Sequence, residues 1–215
     1  MTYEVDQITF EVIKNALGTL ADEMALVIMR TAYSEVLRDT MDYSTAMCDA
    51  NGRFVAQGLT NPIHLGSFPD AMRRLVEEHN ETTQRGDVFI FNDPYGSGGM
   101  HLPDIFIVRP VFVATELVGF AATLGHQADI GGIAPGGMAL YATEIYQEGL
   151  RIPLMKLYDQ GRPNITMFQI LEKNVRVPDK VLGDIRAMLA ASASGEKGLE
   201  QLVQRHGINN FKECV

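Results

Sequence analysis

The stretch DIFIVRPVFVATELVGFAATLGH, residues 104–126, predicts two β-strands joined by a turn near Thr115–Glu116. Apolar residues dominate both halves, and the polar Thr115–Glu116 pair separates them. Pro110 has no backbone N–H to donate to a neighbouring strand, so it indicates a sheet edge or a bulge. We therefore expect an antiparallel hairpin over this stretch.

The turn position predicts which residues of the hairpin face each other. If Thr115 and Glu116 form the turn, the two residue numbers of each facing pair add up to about 231, so residue 126 faces residue 105. A slip of one residue then puts His126 directly opposite Asp104, where facing Cβ atoms lie about 4.5–5.5 Å apart. An imidazole and a carboxylate are thus expected to meet at one end of the hairpin.

A second histidine precedes the hairpin in the sequence HLPD, residues 101–104. Pro103 excludes a regular helix there, so a turn can direct His101 and Asp104 toward one point. Two imidazoles and one carboxylate form a donor set that suits a divalent metal with open positions. The alternative is that these histidines are ordinary hydrogen-bonded residues at the rim of the core.

Asp129 follows His126 in the sequence HQAD and repeats the His-x-x-Asp spacing of HLPD. It is a candidate for a fourth ligand, or for the carboxylate that orients an imidazole ligand.

The rest of the chain alternates helical and strand patterns. Apolar residues at helical spacing predict a long amphipathic helix from Asp6, its N-cap, to about Ala32. A hairpin over 42–58, a short helix in SFPDAMRRLVEEHN (67–80) and a buried strand in DVFIF (87–91) follow. From Met167 the pattern is helical, with breaks predicted at Pro178 and again at Ser192–Gly195.

These elements predict an α+β fold with a long N-terminal helix, a largely antiparallel or mixed sheet with hairpins, and a helical C-terminal part. We expect an α+β metal-site domain over residues 1–165 and a helical segment over 166–215 that continues the same domain.

Composition excludes several classes of function. The chain has 215 residues and a net charge of −9 without a basic stripe, which argues against nucleic-acid binding. The two cysteines lie far apart and predict neither a disulfide framework nor a zinc motif. The N-terminus lacks a secretion pattern and no apolar run has membrane length, so we expect a cytoplasmic globular protein without membrane contact.

Six blocks of the chain together resemble the hydantoinase B/oxoprolinase family, over about residues 6–207. The blocks NDPY…HLPD and GHQADIGG are the most specific. The matching segments are DYSTAMCDANGRFVAQG (42–58), NPIHLGSFPDAM (61–72), GDVFIFNDPYGSGGMHLPDIFIVRPVF (86–112), GHQADIGG (125–132), EIYQEGLRIPLMKL (144–157) and NVRVPDKVLGDIRAMLAA (174–191).

The resemblance implies a metal at the three residues that the hairpin brings together. In acetone carboxylase relatives, a His-x-x-Asp pair and a later histidine bind manganese, and the matching positions are His101, Asp104 and His126. Mixed nitrogen and oxygen ligation leaves Mn²⁺, Zn²⁺ and Fe²⁺ open.

The resemblance also implies further residues of the same pocket. Asp42 and Asp129 are candidates for the catalytic base. Asp42 is also a candidate for an additional metal ligand, and a capping role at the start of a strand is its alternative. His64, Asn92 and Asp93 are candidates for substrate binding, and an Asx-type turn is the alternative for Asn92 and Asp93.

The activity that the resemblance implies is ATP-dependent opening of a cyclic amide within a hetero-oligomer. A hydantoinase A-type partner would bind ATP, since this sequence contains no P-loop and no GxGxxG motif. The chain would be the N-terminal portion of the longer B-type subunit. ATP-dependent ketone carboxylation and a non-catalytic assembly role are the alternatives.

Overall fold

The computed structural model describes residues 5–64, 66–79 and 81–215. Asp6 caps the first helix as predicted, because its carboxylate accepts hydrogen bonds from the backbone N–H groups of Ile8 and Thr9, both at 3.0 Å. In chain order the helices and strands are α1 (Gln7–Thr31), α2 (Glu35–Arg38), β1 (Tyr43–Asp49), β2 (Phe54–Gln57), α3 (Phe68–His79), β3 (Val88–Phe91), β4 (Asp104–Val113), β5 (Glu116–His126), β6 (Met155–Asp159), β7 (Arg162–Pro163), α4 (Ile165–Asn174), α5 (Pro178–His206) and α6 (Ile208–Cys214).

The strands form one sheet in the order β2–β1–β5–β4–β3–β6–β7, and every pair is antiparallel. The predicted α+β class, with its long N-terminal helix, antiparallel sheet and helical C-terminal part, is confirmed. The helical part begins with α4 at Ile165, and the division of the chain after residue 165 stays a prediction. Within the described residues, no helix combines the length and hydropathy needed to cross a membrane.

At the candidate site the β4–β5 hairpin has the predicted register, but its turn lies elsewhere and it contains a bulge that was not predicted. Asp104 pairs with His126 as expected. The turn, however, lies at Ala114–Thr115, one residue earlier than predicted. A register shift beside Val111 leaves Val118 of β5 without an opposite partner, and this bulge restores the pairing of Asp104 with His126.

Pro110 was expected at a sheet edge or a bulge. The prediction of an edge strand is wrong, because β4 lies between β5 and β3 in the sheet. The register shift does occur immediately after Val111, one residue beyond Pro110. On its other side, β3 pairs with β4 only as far as Val108, so Pro110 lies outside that ladder.

Helices cover both faces of the sheet. Phe106 and Val108 pack in the cluster that contains residues of α3, whereas Ile105 and Ile107 pack in the cluster formed with α1 and α5. Side chains alternate along a strand, so Asp104 lies on the α3 face together with Phe106. The same holds for the residue opposite it, His126.

Helix α5 is continuous through Ser192–Gly195, so the predicted second break is wrong, whereas Pro178 does begin a new helix. The small residues serve close packing instead. A Cβ at Gly195 would lie 2.5 Å from Met24 Sδ and 2.9 Å from Ala121 Cβ, so α5 can approach α1 and the sheet only with glycine there.

Candidate metal centre

His101, Asp104 and His126 converge at the end of the central hairpin. His101 lies in the turn before β4, Asp104 is the first residue of β4, and His126 is the last residue of β5. Asp104 Oδ1 lies 3.0 Å from His101 Nε2 and 3.3 Å from His126 Nδ1. One potential ligand atom from each residue lies within 4.8 Å of the other two. The predicted convergence is therefore confirmed.

The carboxylate of Asp104 is fully buried, and neither oxygen has a hydrogen-bond partner among the described residues. Burial by itself would raise the pKa of this carboxyl, but the adjacent His101 and His126 rings lower the pKa to about 2. The carboxylate is therefore ionised, because its contacts with the two rings outweigh the effect of burial. A buried anion with unused lone pairs beside two imidazoles fits a divalent cation.

The same carboxylate also shifts the pKa of His101. Burial lowers the pKa of His101, but contact with Asp104 outweighs burial, and the pKa is raised above the ordinary value of 6.5. Without a metal, a proton therefore competes for the nitrogen that faces Asp104.

Asp42 lies at the mouth of this cluster, immediately before β1. Its Oδ2 is 3.9 Å from His126 Nδ1, and its Oδ1 is 3.4 Å from His64 Nε2. Its backbone carbonyl accepts a hydrogen bond of 3.0 Å from the N–H of His126, which fixes the two residues side by side. The side chain is 30% exposed, so the carboxylate is open to solvent on one side.

His64 belongs to the same cluster, through a short 3₁₀ turn at Pro62–His64. Its Nε2 lies 3.8 Å from Asp104 Oδ1, and its ring is 2% exposed. Burial lowers the pKa of His64 despite the two nearby carboxylates. The other ring nitrogen, Nδ1, lies 3.2 Å from the hydroxyl of Ser44.

Ser44 is a residue of this site that sequence reasoning missed. It is fully buried on β1, two residues after Asp42. Residues i and i+2 of a strand share a face. That spacing in the sequence DYS is the signal that could have found it.

Asp129 is not brought into the cluster as a free carboxylate, contrary to its predicted role as a base or ligand. Its oxygens accept hydrogen bonds from the backbone N–H groups of Gly131, Gly136 and Arg176 and from the guanidinium of Arg176. Burial would raise the pKa of Asp129, but these donors hold it below its usual value. The carboxylate therefore stabilises the glycine-rich loop that follows β5.

Asn92 and Asp93 also have structural roles. The Asn92 amide nitrogen donates to the backbone carbonyls of Leu102 and Leu150, and its oxygen accepts from the N–H of Ile152. Asp93 accepts from the N–H of Tyr95 in an Asx-type turn and pairs with Arg151 at 2.8 Å. The Asn92 amide is thus engaged by three backbone groups, and substrate binding by Asn92 and Asp93 stays a prediction.

A sequence model of the family described as Hydantoinase B/oxoprolinase matches residues 6–215. The chain belongs to this family. The match covers His101, Asp104 and His126 and every described element, in agreement with the resemblance seen in the sequence.

Two relatives with solved structures or known names extend the comparison. Over 98% of its own length, the chain is 38% identical to caprolactamase subunit beta of Pseudomonas jessenii. Its structure matches the crystal structure of ATP-dependent caprolactamase from Pseudomonas jessenii with a TM-score of 0.91. It is 32% identical to 5-oxoprolinase of Dictyostelium discoideum over 97% of its length. The chain covers 36% of the caprolactamase subunit and 16% of the oxoprolinase.

A nucleotide-free structure of acetone carboxylase shares the fold, with a TM-score of 0.91 over 97% of this chain and 28% of that one. At 21% identity this match shows the fold alone.

Proposed function

We propose that this chain carries the metal centre of an ATP-dependent cyclic-amide hydrolase and opens an amide that a partner subunit has activated. The observation that carries the proposal is the buried, hydrogen-bond-free carboxylate of Asp104 between two imidazoles. Membership of a family with relatives named caprolactamase and 5-oxoprolinase supplies the reaction class.

In this proposal His101, Asp104 and His126 hold the metal through Nε2, a carboxylate oxygen and Nδ1. When bound, a divalent metal supplies a Lewis acid that polarises a carbonyl or lowers the pKa of water. Two neutral imidazoles and one carboxylate are compatible with Mn²⁺, Zn²⁺ and Fe²⁺. His101 must lose its proton to serve as a ligand, which links occupancy to pH.

Asp42 is the proposed general base. Its carboxylate is partly exposed beside His126, so it can reach the mouth of the site, whereas the carboxylate of Asp129 is fully engaged by its loop. Opening the ring adds the oxygen of water to the amide carbon and breaks the bond to the ring nitrogen. Asp42 accepts the proton that this water loses and returns it to that nitrogen, which leaves as an amine. The phosphoryl group that activated the amide oxygen is released as phosphate when a second water hydrolyses the acyl phosphate, which leaves a carboxylate.

The proposed partner is a hydantoinase A-type subunit that binds ATP. Support comes from the name of the beta subunit of caprolactamase and from the lack of a P-loop in this sequence. A hetero-oligomer acting on a small cyclic amide follows from the same proposal, and cytoplasmic location stays a prediction from the sequence. Ketone carboxylation has no specific observation in its favour, because the acetone carboxylase match extends to the fold only.

The test is reconstitution with the A-type partner. Purified chain plus partner is assayed for ATP hydrolysis and ring opening with 5-oxoproline, a hydantoin and caprolactam, and in parallel with a ketone plus bicarbonate. We expect turnover with a cyclic amide only when both proteins are present, and loss of turnover in His101→Ala. The matched control is His206→Ala, in the last turn of α5. Turnover by the chain alone, or unchanged turnover in His101→Ala, would contradict the proposal.

A further inference from the structure

The carboxylate of Asp42, the proposed base, is carried by a fixed backbone but by a side chain that is free to rotate. The backbone N–H of Asp42 donates to the carbonyl of Val36 at 3.1 Å, and its carbonyl accepts from the N–H of His126 at 3.0 Å. The side chain is 30% exposed, so rotation about its own bonds would carry the carboxylate into solvent. A general base has to lie within reach of the proton that it accepts. Whatever holds this carboxylate toward the site therefore affects the reaction.

His64 is the buried residue that faces Asp42. Its backbone is fixed in the turn Pro62–His64, where the N–H and hydroxyl of Ser67 donate to its carbonyl at 3.0 and 2.7 Å. Its Nε2 lies 3.4 Å from Asp42 Oδ1, whereas the other oxygen of that carboxylate, Oδ2, lies 3.9 Å from His126 Nδ1. The His64 side chain is only 2% exposed, so it is closed off from substrate and acts through a neighbour.

The surroundings of the His64 ring place a proton on Nε2. Two carboxylate oxygens face this nitrogen, Asp42 Oδ1 at 3.4 Å and Asp104 Oδ1 at 3.8 Å. Without a proton, Nε2 would direct a lone pair at both carboxylates in a buried setting, where unpaired polar groups are costly. The ring therefore presents an N–H to the two carboxylates.

The Ser44 hydroxyl is the partner of the opposite ring nitrogen in both charge states of His64. It lies 3.2 Å from His64 Nδ1 and 2.9 Å from the backbone carbonyl of Asn61. When the ring is neutral, the hydroxyl donates to Nδ1; when the ring is charged, the hydroxyl accepts from Nδ1–H and donates to Asn61. Both patterns leave the N–H at Nε2 facing Asp42.

We propose that His64 is a positioning residue for the general base: its Nε2–H attracts Asp42 Oδ1, which leaves Oδ2 turned toward His126 and the metal centre. This inference rests on the proposed function, in which Asp42 takes the proton from water. Ser44 in turn holds the His64 ring through Nδ1. Because Ser44 is fully buried, it is closed to substrate, so the row Ser44–His64–Asp42 orients a carboxylate and does not activate a serine nucleophile.

Two amide variants of His64 separate positioning from packing. In the complex reconstituted with the A-type partner, kcat and KM for the cyclic amide are measured together with metal content and Tm. The glutamine of His64→Gln is long enough to bring its amide N–H₂ to the place of Nε2, whereas the asparagine of His64→Asn reaches only the place of Nδ1. We expect His64→Asn and His64→Ala to lower kcat by about 10–100-fold with KM and metal content unchanged, and His64→Gln to retain most of kcat. The matched control is His206→Gln, in the last turn of α5.

Nuclear magnetic resonance gives a second reading that needs no turnover, because long-range ¹H–¹⁵N correlation distinguishes protonated from free ring nitrogens. In the chelator-treated chain, we expect His64 to carry a proton on Nε2, and an unprotonated Nε2 overturns the inference. Equal kcat in His64→Gln and His64→Asn also overturns it, while the proposed function stands. Unchanged turnover in Asp42→Asn would instead remove the base from the proposed function, and this inference with it.

Discussion

Replacement of Asp104 by asparagine tests the metal centre through protein stability. A ligand that binds only the native state at a free concentration of 100 times its Kd raises the free energy of unfolding by about 2.7 kcal/mol. For a domain of this size, about 2–4 °C per kcal/mol converts that gain into a rise in Tm of about 5–11 °C. Asp104 supplies the only carboxylate of the trio, and asparagine keeps its shape while removing its charge.

If Asp104→Asn weakens metal binding about 100-fold, the same metal concentration adds only about 0.4 kcal/mol, or roughly 1 °C. The measurement is thermal unfolding with and without Zn²⁺ or Mn²⁺, so that each variant is its own reference. Asp184→Asn is the matched control, because Asp184 is also fully buried but caps the backbone of Tyr33 and Ser34. Equal metal-induced shifts in Asp104→Asn and the unsubstituted chain would refute the centre.

Three further predictions concern the packing, the loop and the pH response. Gly195→Val should lower the free energy of unfolding by about 1–3 kcal/mol in urea, because its side chain meets α1 and β5. Gly18→Ala, with open space at its Cβ, should leave the free energy of unfolding unchanged or raise it by up to about 1 kcal/mol. Arg176→Ala should speed hydrogen exchange of the loop amides 131–137, since it removes donors to Asp129 and to loop carbonyls; unchanged exchange would contradict this role. The apparent metal affinity should fall on acidification, starting above pH 6.5, because the raised pKa of His101 lets a proton compete there. Calorimetric titration at several pH values checks this, and a constant affinity from pH 5.5 to 7.5 would exclude it.

The parts of the site that follow from strand geometry could be predicted from the sequence. The hairpin pattern put Asp104 opposite His126, although the turn lies one residue earlier than predicted and a bulge compensates, and Pro103 was enough to keep His101 in a turn. Asp6 could be identified as a cap because its partners lie two and three residues away. In each case the interaction is local, or is transmitted by a single hairpin.

Contacts between distant segments could not be predicted in this way. Asp129 is engaged by Arg176, 47 residues away, and the His-x-x-Asp spacing gave no sign of this contact. The continuity of α5 through Ser192–Gly195 depends on how closely α1 and the sheet approach it, and helix propensity alone favours a break there. His64 reaches the cluster through a 3₁₀ turn, which has no periodic signal in the sequence.

The bulge at Val118 explains why Asp104 and His126 meet at the end of the hairpin. Next to the turn, Val113 pairs with Glu116, and without the bulge the same register would continue and place Gly125 opposite Asp104. Facing residues in an antiparallel pair share a face, and neighbours along a strand point to opposite faces. His126 would then project toward α1 and α5 while Asp104 stayed on the α3 face. One extra residue in β5, about 27 Å of strand away from His126 at roughly 3.4 Å per residue, therefore determines whether an imidazole and a buried carboxylate can lie side by side.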